Sequence, residues 1–252
     1  WTVIEPESGH LACGDEGKGK FPDEHVIVEH VLNAIAREKD MQGLRVLVTA
    51  GPTMEALDPV RFLSNHSSGK MGYALAKVCC ERGASVTLVS GKTHLPVPVG
   101  VEMVPIISAQ EMYNEVTERA EMQDVIIMAA AVADYRPATV SEQKIKKKDD
   151  DLSLPLERTQ DILAKLGANK PKGQVLCGFA METEDMVAHA REKLERKHLD
   201  LIAANNVKIQ GAGFGTDTNV ITLLSKRGEK ELPLMSKEEA ASRIVDEILE
   251  IR

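Results

Sequence analysis

The sequence predicts an α/β fold: a Rossmann-like, doubly wound, mainly parallel sheet. Three observations predict it. Apolar runs such as Leu44–Ala50, Asp124–Ala131 and Val175–Phe179 lack sustained polar alternation, as strands buried on both faces do. Stretches with helical spacing of apolar residues stand between those runs. The connections are short, which favours parallel βαβ units.

Taken in order, residues 1–43 differ from the rest. Glu5–His10 and Gly14–Lys20 read as a charged, Gly-rich loop around Leu11-Ala12-Cys13, followed by a helix over Asp23–Arg37. An opening Trp and an irregular loop suggest a piece of a longer chain, and this part is expected to be flexible. Strand Leu44–Ala50 ends at Gly51-Pro52-Thr53, and a polar loop of about a dozen residues precedes the next helix. That helix spans Gly69–Glu81, with Met71, Leu75, Ala76, Val78 and Cys79 inward and Gly83 as its C-cap. Strand Ala84–Ser90, the loop Gly91–Gly100 and the short strand Val101–Pro105 follow. Ser108 caps a helix to Met122, and Asp124–Ala131 is the next strand.

Lys144–Leu156 reads either as a solvated charged turn or as a hairpin with Asp149-Asp150-Asp151 at its tip. Helix Asp161–Leu166, strand Val175–Phe179, helix Asp185–Lys197 and strand Leu199–Ala203 continue the alternation. After a flexible Gly211–Gly215 connection, Asn219–Ser225 and Glu229–Pro233 form a hairpin turning at Arg227-Gly228. Ser236 caps a last helix to Leu249.

Composition narrows the function classes. A chain of 252 residues can bury a sizeable core. A net charge of −8 with 3% aromatics argues against a nucleic-acid module that works by a basic surface and stacking. No apolar run reaches the roughly 18 residues of a membrane span, and the N-terminus lacks a secretory pattern. Four cysteines without CxxC spacing suit a reducing, cytoplasmic setting better than disulfides or structural zinc.

Several positions invite chemistry. Ser67-Ser68-Gly69-Lys70 stands at a helix N-terminus, where unpaired N–H groups, the dipole and a lysine favour an anion. The pattern fits a capped helix and a turn equally well, and it has neither GxGxxG nor P-loop spacing. Ala129-Ala130-Ala131 at a strand's end would let a flat ring come close, and Asp134 could accept from an amine. Helix–sheet packing explains the same alanines. Lys193 and Lys197 share a helical face, as a solvated pair also would. Phe179, from pattern alone, is a core residue.

The string GPTMEALDPVRFLSNHSSGKMG resembles the signature of the phosphopantothenoylcysteine synthetases, the amide-forming enzymes of coenzyme A synthesis. AAVADYRP, KIKK, GFAMET, the AREKLERK helix and GFGTDTN agree with that family in order, from about Leu44 to the end. The resemblance implies a ligase domain over residues 44–252. It joins 4′-phosphopantothenate to cysteine through an acyl-cytidylate, with CTP and Mg²⁺. It implies that Asn65 holds the acyl-cytidylate and that Lys144 serves its formation. It gives Met128, Ala129, Ala130 and Asp134 to the cytosine, with Phe179 against the base. Arg158, Thr159, Gln160 and Asp161 form the loop at the triphosphate, although the family more often shows KNPD or KTPD there. Lys193 and Lys197 face its phosphates.

Two placements are inferences from anion chemistry: Arg61 as a fork for an oxyanion, and Ser67, Ser68, Gly69 and Lys70 as the seat of the substrate phosphate. The metal ligands are not legible. The resemblance also implies a β-hairpin flap/dimerisation extension on the sheet and a homodimer, with the Lys144–Leu156 and Asn219–Pro233 hairpins as candidate contacts.

The segment PESGHLACGDEGKGK resembles the closing loop of a flavin decarboxylase often fused ahead of the synthetase. Residues 1–43 would be its remnant. FMN is expected only with that upstream domain, and Cys13 would be a bystander. Two other classes share the architecture. An NAD(P)-dependent oxidoreductase would need a glycine fingerprint and an acid ending the second strand, where Val89-Ser90-Gly91 stands. A nucleotide-binding module without turnover is the other.

Overall fold

Side chains at successive positions of the central strands point to opposite faces, and both faces are apolar. That alternation dictates a sheet covered by helices on each side. The structure is a computed structural model and describes residues 3–147, 152–182, 186–206 and 215–252. Its elements run β1 (Glu7–His10), β2 (Glu16–Lys20), α1 (Glu24–Ile35), β3 (Arg45–Ala50), β4 (Met54–Ala56), β5 (Phe62–Ser64), α2 (Lys70–Glu81), β6 (Ser85–Ser90), β7 (Glu102–Pro105), α3 (Ala109–Arg119) and β8 (Val125–Met128). They continue with β9 (Tyr135–Pro137), β10 (Leu156–Arg158), α4 (Ile162–Ala168), β11 (Val175–Glu182), α5 (Met186–Arg196), β12 (Leu201–Asn206), β13 (Thr218–Ser225), β14 (Gly228–Ser236) and α6 (Lys237–Ile251).

The main sheet has eight strands in the order β14-β13-β12-β11-β8-β3-β6-β7. Strands β12 through β7 in that order are parallel, and β13 and β14 add an antiparallel edge. On one face Val46, Val48, Val125 and Ile127 meet α2 and α6 through Leu75, Val78, Ile244 and Ile248. On the other, Leu47, Ile126 and Leu176 meet α3, α4 and α5 through Met112, Leu163 and Leu194. Each such side chain, fully buried, contributes about 1.5–3 kcal/mol. The doubly wound, mainly parallel reading therefore holds.

The two capping serines expected from the sequence are in place, and Asp161 caps α4 as well. Side-chain oxygens of Ser108, Asp161 and Ser236 accept from Glu111 N, Ala164 N and Glu239 N. Helix α2 departs from this pattern. Its N-cap is Gly69 at φ 78°, with no side-chain cap. A Cβ on Gly69 would lie 2.7 Å from Thr93 Cγ2, so the tight turn favours glycine.

Four expectations change. The polar loop after β3 holds a small antiparallel ribbon, β4 with β5. The Gly-rich N-terminal loop is flanked by the paired strands β1 and β2, with Cys13 exposed between them. Strand β8 stops at Met128, and only a bridge between Pro52 and Ala131 continues the pairing towards Ala131.

The Lys144–Leu156 hairpin is corrected outright. Residues 144–147 and 152–155 are not strands, and the expected tip Asp149-Asp150-Asp151 lies outside the described residues. The backbone of Ile145 is taken by side chains. Its N–H donates to Asp58 Oδ2 at 3.1 Å, and its carbonyl accepts from Arg61 Nη2 at 2.8 Å. Leu156–Arg158 pairs instead with Tyr135–Pro137. The second expected hairpin does form, as β13 and β14, but within the main sheet. Most of the Gly211–Gly215 connection lies outside the described residues.

Helix α1 buries no residue completely, and Val28, Val31, Leu32 and Ile35 leave an exposed apolar stripe. It is tied to the domain by Asn33 Nδ2, which donates to Val99 O at 3.0 Å, and Arg37 just beyond its end pairs with Glu81 at 2.8 Å. Cys79, Cys80 and Cys177 are buried and free. Burial pushes the Cys79 thiol up to about 12, which leaves it protonated and inert.

The contact between α2 and β3 can be tested directly. A methyl at Gly72 would sit 2.5 Å from Ala50 Cβ and 2.8 Å from the Thr49 carbonyl oxygen. Gly72→Ala should cost about 1–3 kcal/mol, seen as a lower urea midpoint at unchanged slope. An unchanged midpoint would show that the helix slides freely on the strand.

Candidate active site

After β3 the chain moves to β6 and β7 on one side, then returns to β8 on the other. Ligands of open parallel sheets bind at such a reversal, beyond the carboxyl ends of the strands. Here the two diverging loops are stitched together. Ala131 N donates to Gly51 O at 2.9 Å and Thr53 N to Ala131 O at 3.3 Å. The buried hydroxyls of Thr49 and Thr53 accept from Ala130 N at 3.1 Å and Ala133 N at 3.0 Å.

Two cavities flank this seam. The larger, about 580 Å³, is lined by Met128, Ala130, Val132, Asp134, Tyr135, Arg158, Thr159, Gln160, Asp161, Ile162, Leu163, Phe179, Lys193 and Lys197. The smaller, about 150 Å³, is lined by Ser67 to Gly72, Ala129, Ala130, Ala131, Phe179, Ala180, Met181, Asn205, Asn219 and Lys237. Ala130 and Phe179 belong to both, so the cavities meet there.

The larger cavity brings together nearly all the residues expected around a nucleotide. Thr159 anchors its loop: its N–H donates to Asp134 O at 3.0 Å and its hydroxyl to Ala133 O at 2.6 Å. Arg158 and Asp134 are exposed at the rim, and Gln160 accepts from Gln110 Nε2 at 3.5 Å. Lys193 donates to Phe179 O at 2.7 Å, and Lys197 pairs with Asp161 at 2.8 Å. Burial pushes the Asp161 carboxyl up, but the hydrogen bond from Lys197, the Ala164 N–H and the charges of both lysines hold it below its ordinary value. Tyr135, Val132, Ile162 and Leu163 also line the cavity; sequence patterns gave no signal for them beyond their neighbours. Thr183 of the GFAMET stretch lies outside the described residues.

Ala129 faces the smaller cavity together with Ser67, Ser68, Gly69 and Lys70. Lys70 donates to Asp217 Oδ1 at 2.7 Å and Gly215 O at 3.0 Å. Lys237 was missed in the sequence. It is buried at the first position of α6, where a helix dipole disfavours a cation, and that misfit was the available signal. Burial, then the charge of Lys70, push its pKa down to about 8, against the pull of Asp217.

Asn65 spans the seam, donating from Nδ2 to Ala131 O at 3.1 Å and Val132 O at 3.2 Å. Lys144 is exposed and lines neither cavity. Arg61 is not the open oxyanion fork expected of it. Its Nε and Nη2 hold Asp58 Oδ2 at 3.0 and 2.6 Å, because the buried Asp58 carboxylate needs a counter-charge. Arg61, with the N–H groups of Val60, Ile145 and Arg61 itself, holds that carboxyl well below the usual range, against burial. Glu55 of the same motif is structural too, accepting from Ala109 N at 2.9 Å at the start of α3.

Residues 41–251 match the family described as DNA/pantothenate metabolism flavoprotein C-terminal domain. The chain is 49% identical over 242 residues to "Coenzyme A biosynthesis bifunctional protein CoaBC" of Vibrio cholerae serotype O1, covering 95% of this chain and 60% of that protein. It is 49% identical over 252 residues to the protein of the same name from Bacillus subtilis strain 168, covering 98% and 62%. The chain thus spans about three fifths of the length of these relatives. The crystal structure of the C-terminal domain of Coenzyme A biosynthesis bifunctional protein CoaBC superposes with a TM-score of 0.71 at 45% identity, covering 82% of this chain and 94% of that one.

The Asp58–Arg61 tie can be tested without substrate. Asp58 has a lower pKa folded than unfolded. Its contribution to stability is therefore complete above the unfolded value, about 3.9, and lost as pH falls through the folded one. Arg61→Met leaves the carboxylate unpaired, so acid unfolding, followed by circular dichroism, should begin at a higher pH than in the parent. An unmoved acid midpoint would show that the pair adds nothing.

Proposed function

The chain belongs to the DNA/pantothenate metabolism flavoprotein C-terminal domain family, and on that premise we propose that it is a phosphopantothenate–cysteine ligase of coenzyme A synthesis. The names of the curated relatives support the pathway. The observation that carries the reading is the pair of cavities meeting at Ala130 and Phe179, with Asn65 across the seam.

In the proposed reaction CTP occupies the larger cavity and 4′-phosphopantothenate the smaller. A carboxylate oxygen attacks the α-phosphorus and pyrophosphate leaves with the bridging electron pair. The amine of cysteine then attacks the acyl carbon, loses a proton and releases CMP. Asp134 accepts from the cytosine amine, which uracil lacks. Met128, Ala129 and Ala130 border the base and Phe179 packs against it. Lys193, Lys197, Arg158 and the Thr159–Asp161 turn attract the phosphates, and Lys144 adds charge when its side chain turns inward. Asn65 holds the acyl-cytidylate by its amide, which is not itself acylated. Ser67 to Lys70 seat the substrate's phosphate at the open end of α2.

The carboxylates in the larger cavity are Asp134 and Asp161, and no cluster of three or more metal-ligating side chains occurs among the described residues. That set fits Mg²⁺ held mainly by phosphate oxygens, where the ion would neutralise charge.

We also propose a cytoplasmic homodimer. No described helix is long and apolar enough to cross a membrane. The β13–β14 hairpin, at the sheet edge, is the candidate contact between copies. An upstream flavin decarboxylase domain, carrying the FMN, would cover the apolar stripe of α1.

Pyrophosphate release from CTP should require phosphopantothenate, and release of CMP should require cysteine as well. An oxidoreductase or a silent nucleotide binder stays at background. Asn65→Asp and Lys144→Gln should each lower turnover by about 100-fold or more. Parent-rate turnover in either variant removes that residue from the mechanism.

A further inference from the structure

The smaller cavity has two features outside every motif read in the sequence. The first is Lys237. Its Nζ donates to Asn219 Oδ1 at 2.7 Å and to Thr218 O at 3.1 Å, both uncharged. It lines the cavity that also receives Lys70 and the first turn of α2. Two helices therefore begin at this cavity, and each begins with a lysine. Asp217, the carboxylate paired with Lys70, is 89% exposed. Burial, and after it the charge of Lys70, lower the pKa of Lys237 against the pull of Asp217.

The second feature is Asn205, which is 6% exposed and lines the same cavity. Its Oδ1 is buried and has no hydrogen-bond partner among the described residues. A buried acceptor left so is matched by a donor from a ligand. Between these polar ends the walls are apolar: Met71, Ala131, Ala180 and Met181. The matching ligand has a phosphate at one end, an apolar carbon stretch, and an N–H or O–H further along.

We propose that Lys237 and Asn205 determine the specificity of the smaller cavity for a phosphomonoester acid, Lys237 as the second cation on the phosphate and Asn205 as the acceptor for a hydroxyl or amide donor on the carbon chain. This rests on the ligase reading and adds two substrate contacts to it. Lys237 recognises what distinguishes the phosphorylated acid from the unphosphorylated one. Asn205 reads what both have in common.

The test compares 4′-phosphopantothenate with pantothenate in CTP-dependent pyrophosphate release. Lys237→Met should raise KM for the phosphorylated acid by about 10- to 100-fold, the weight of one charged hydrogen bond. It should leave KM for CTP within about 2-fold, shrink the preference for the phosphorylated acid, and be rescued by Lys237→Arg. Asn205→Ala should raise KM for both acids by similar factors without moving CTP. An unchanged KM for phosphopantothenate in Lys237→Met overturns the proposal, as does an equal rise in KM for CTP. Should that variant fail to fold, acetic anhydride labelling of the parent protein at pH 8 decides. Saturating phosphopantothenate must protect Lys237, and labelling at an undiminished rate overturns the assignment. Absence of CTP-dependent pyrophosphate release in the parent protein would defeat the ligase reading instead, and the labelling result would still decide the phosphate contact.

Discussion

The rest of the site depends on how the chain leaves the sheet between β3 and β8. Regular pairing stops at Thr49 and Met128, yet the two strands cannot simply part, because their backbone groups would be left unpaired in a buried place. Two threonine hydroxyls resolve this. Thr49 and Thr53 are fully buried and accept the N–H groups of Ala130 and Ala133. Side-chain acceptors replace strand pairing and let the backbone diverge without orphaned donors. The carbonyls of Ala131 and Val132 remain within reach of Asn65, which lines neither cavity itself but bonds to one wall residue of each.

Charge is arranged with the same restraint. The chain carries a net charge of −8, yet the cavities are rimmed by Lys70, Arg158, Lys193, Lys197 and Lys237. Lys193 donates to the Phe179 carbonyl and Lys237 to the Asn219 amide oxygen, bonds that aim both ammonium groups along the cavity walls. Lys197 is held by Asp161, which also caps α4 and so serves two positive ends at once. A polyanion entering from water would replace solvation at these groups.

The core strands were legible because burial on both faces writes itself into composition. Leu44–Ala50 and Val175–Phe179 could hardly be anything else. The expected nucleotide residues came together because they lie near the carboxyl ends of β8 and β10, on β11 and along α5, which topology gathers. What stayed illegible depended on side chains acting as backbone partners. Lys144–Leu156 has a hairpin's alternation, but Asp58 and Arg61 claim both backbone groups of Ile145. Ribbons β4–β5 and β1–β2 are too short, and too polar or Gly-rich, to show a period. Lys237 looked like any charged residue at a helix start, and Asn205 ends an apolar strand as one of two adjacent asparagines.

The division into two cavities has a chemical consequence under the proposed reaction. Activation needs the carboxylate and the α-phosphorus in contact, whereas the rest of each substrate must stay apart to be recognised. Small side chains at Ala129, Ala130 and Ala131 make the partition thin where contact is needed. Recognition then falls to groups at the far ends: Asp134 and the lysines of α5 on the nucleotide side, and Lys70 with the N-terminal turn of α2 on the acid side. Holding both substrates by their remote ends aligns the reacting atoms without requiring a catalytic group between them. A neutral asparagine at the junction fits that logic. A carboxylate there would repel the incoming acid and the phosphate alike, and a lysine or serine could be acylated by the intermediate it was meant to hold.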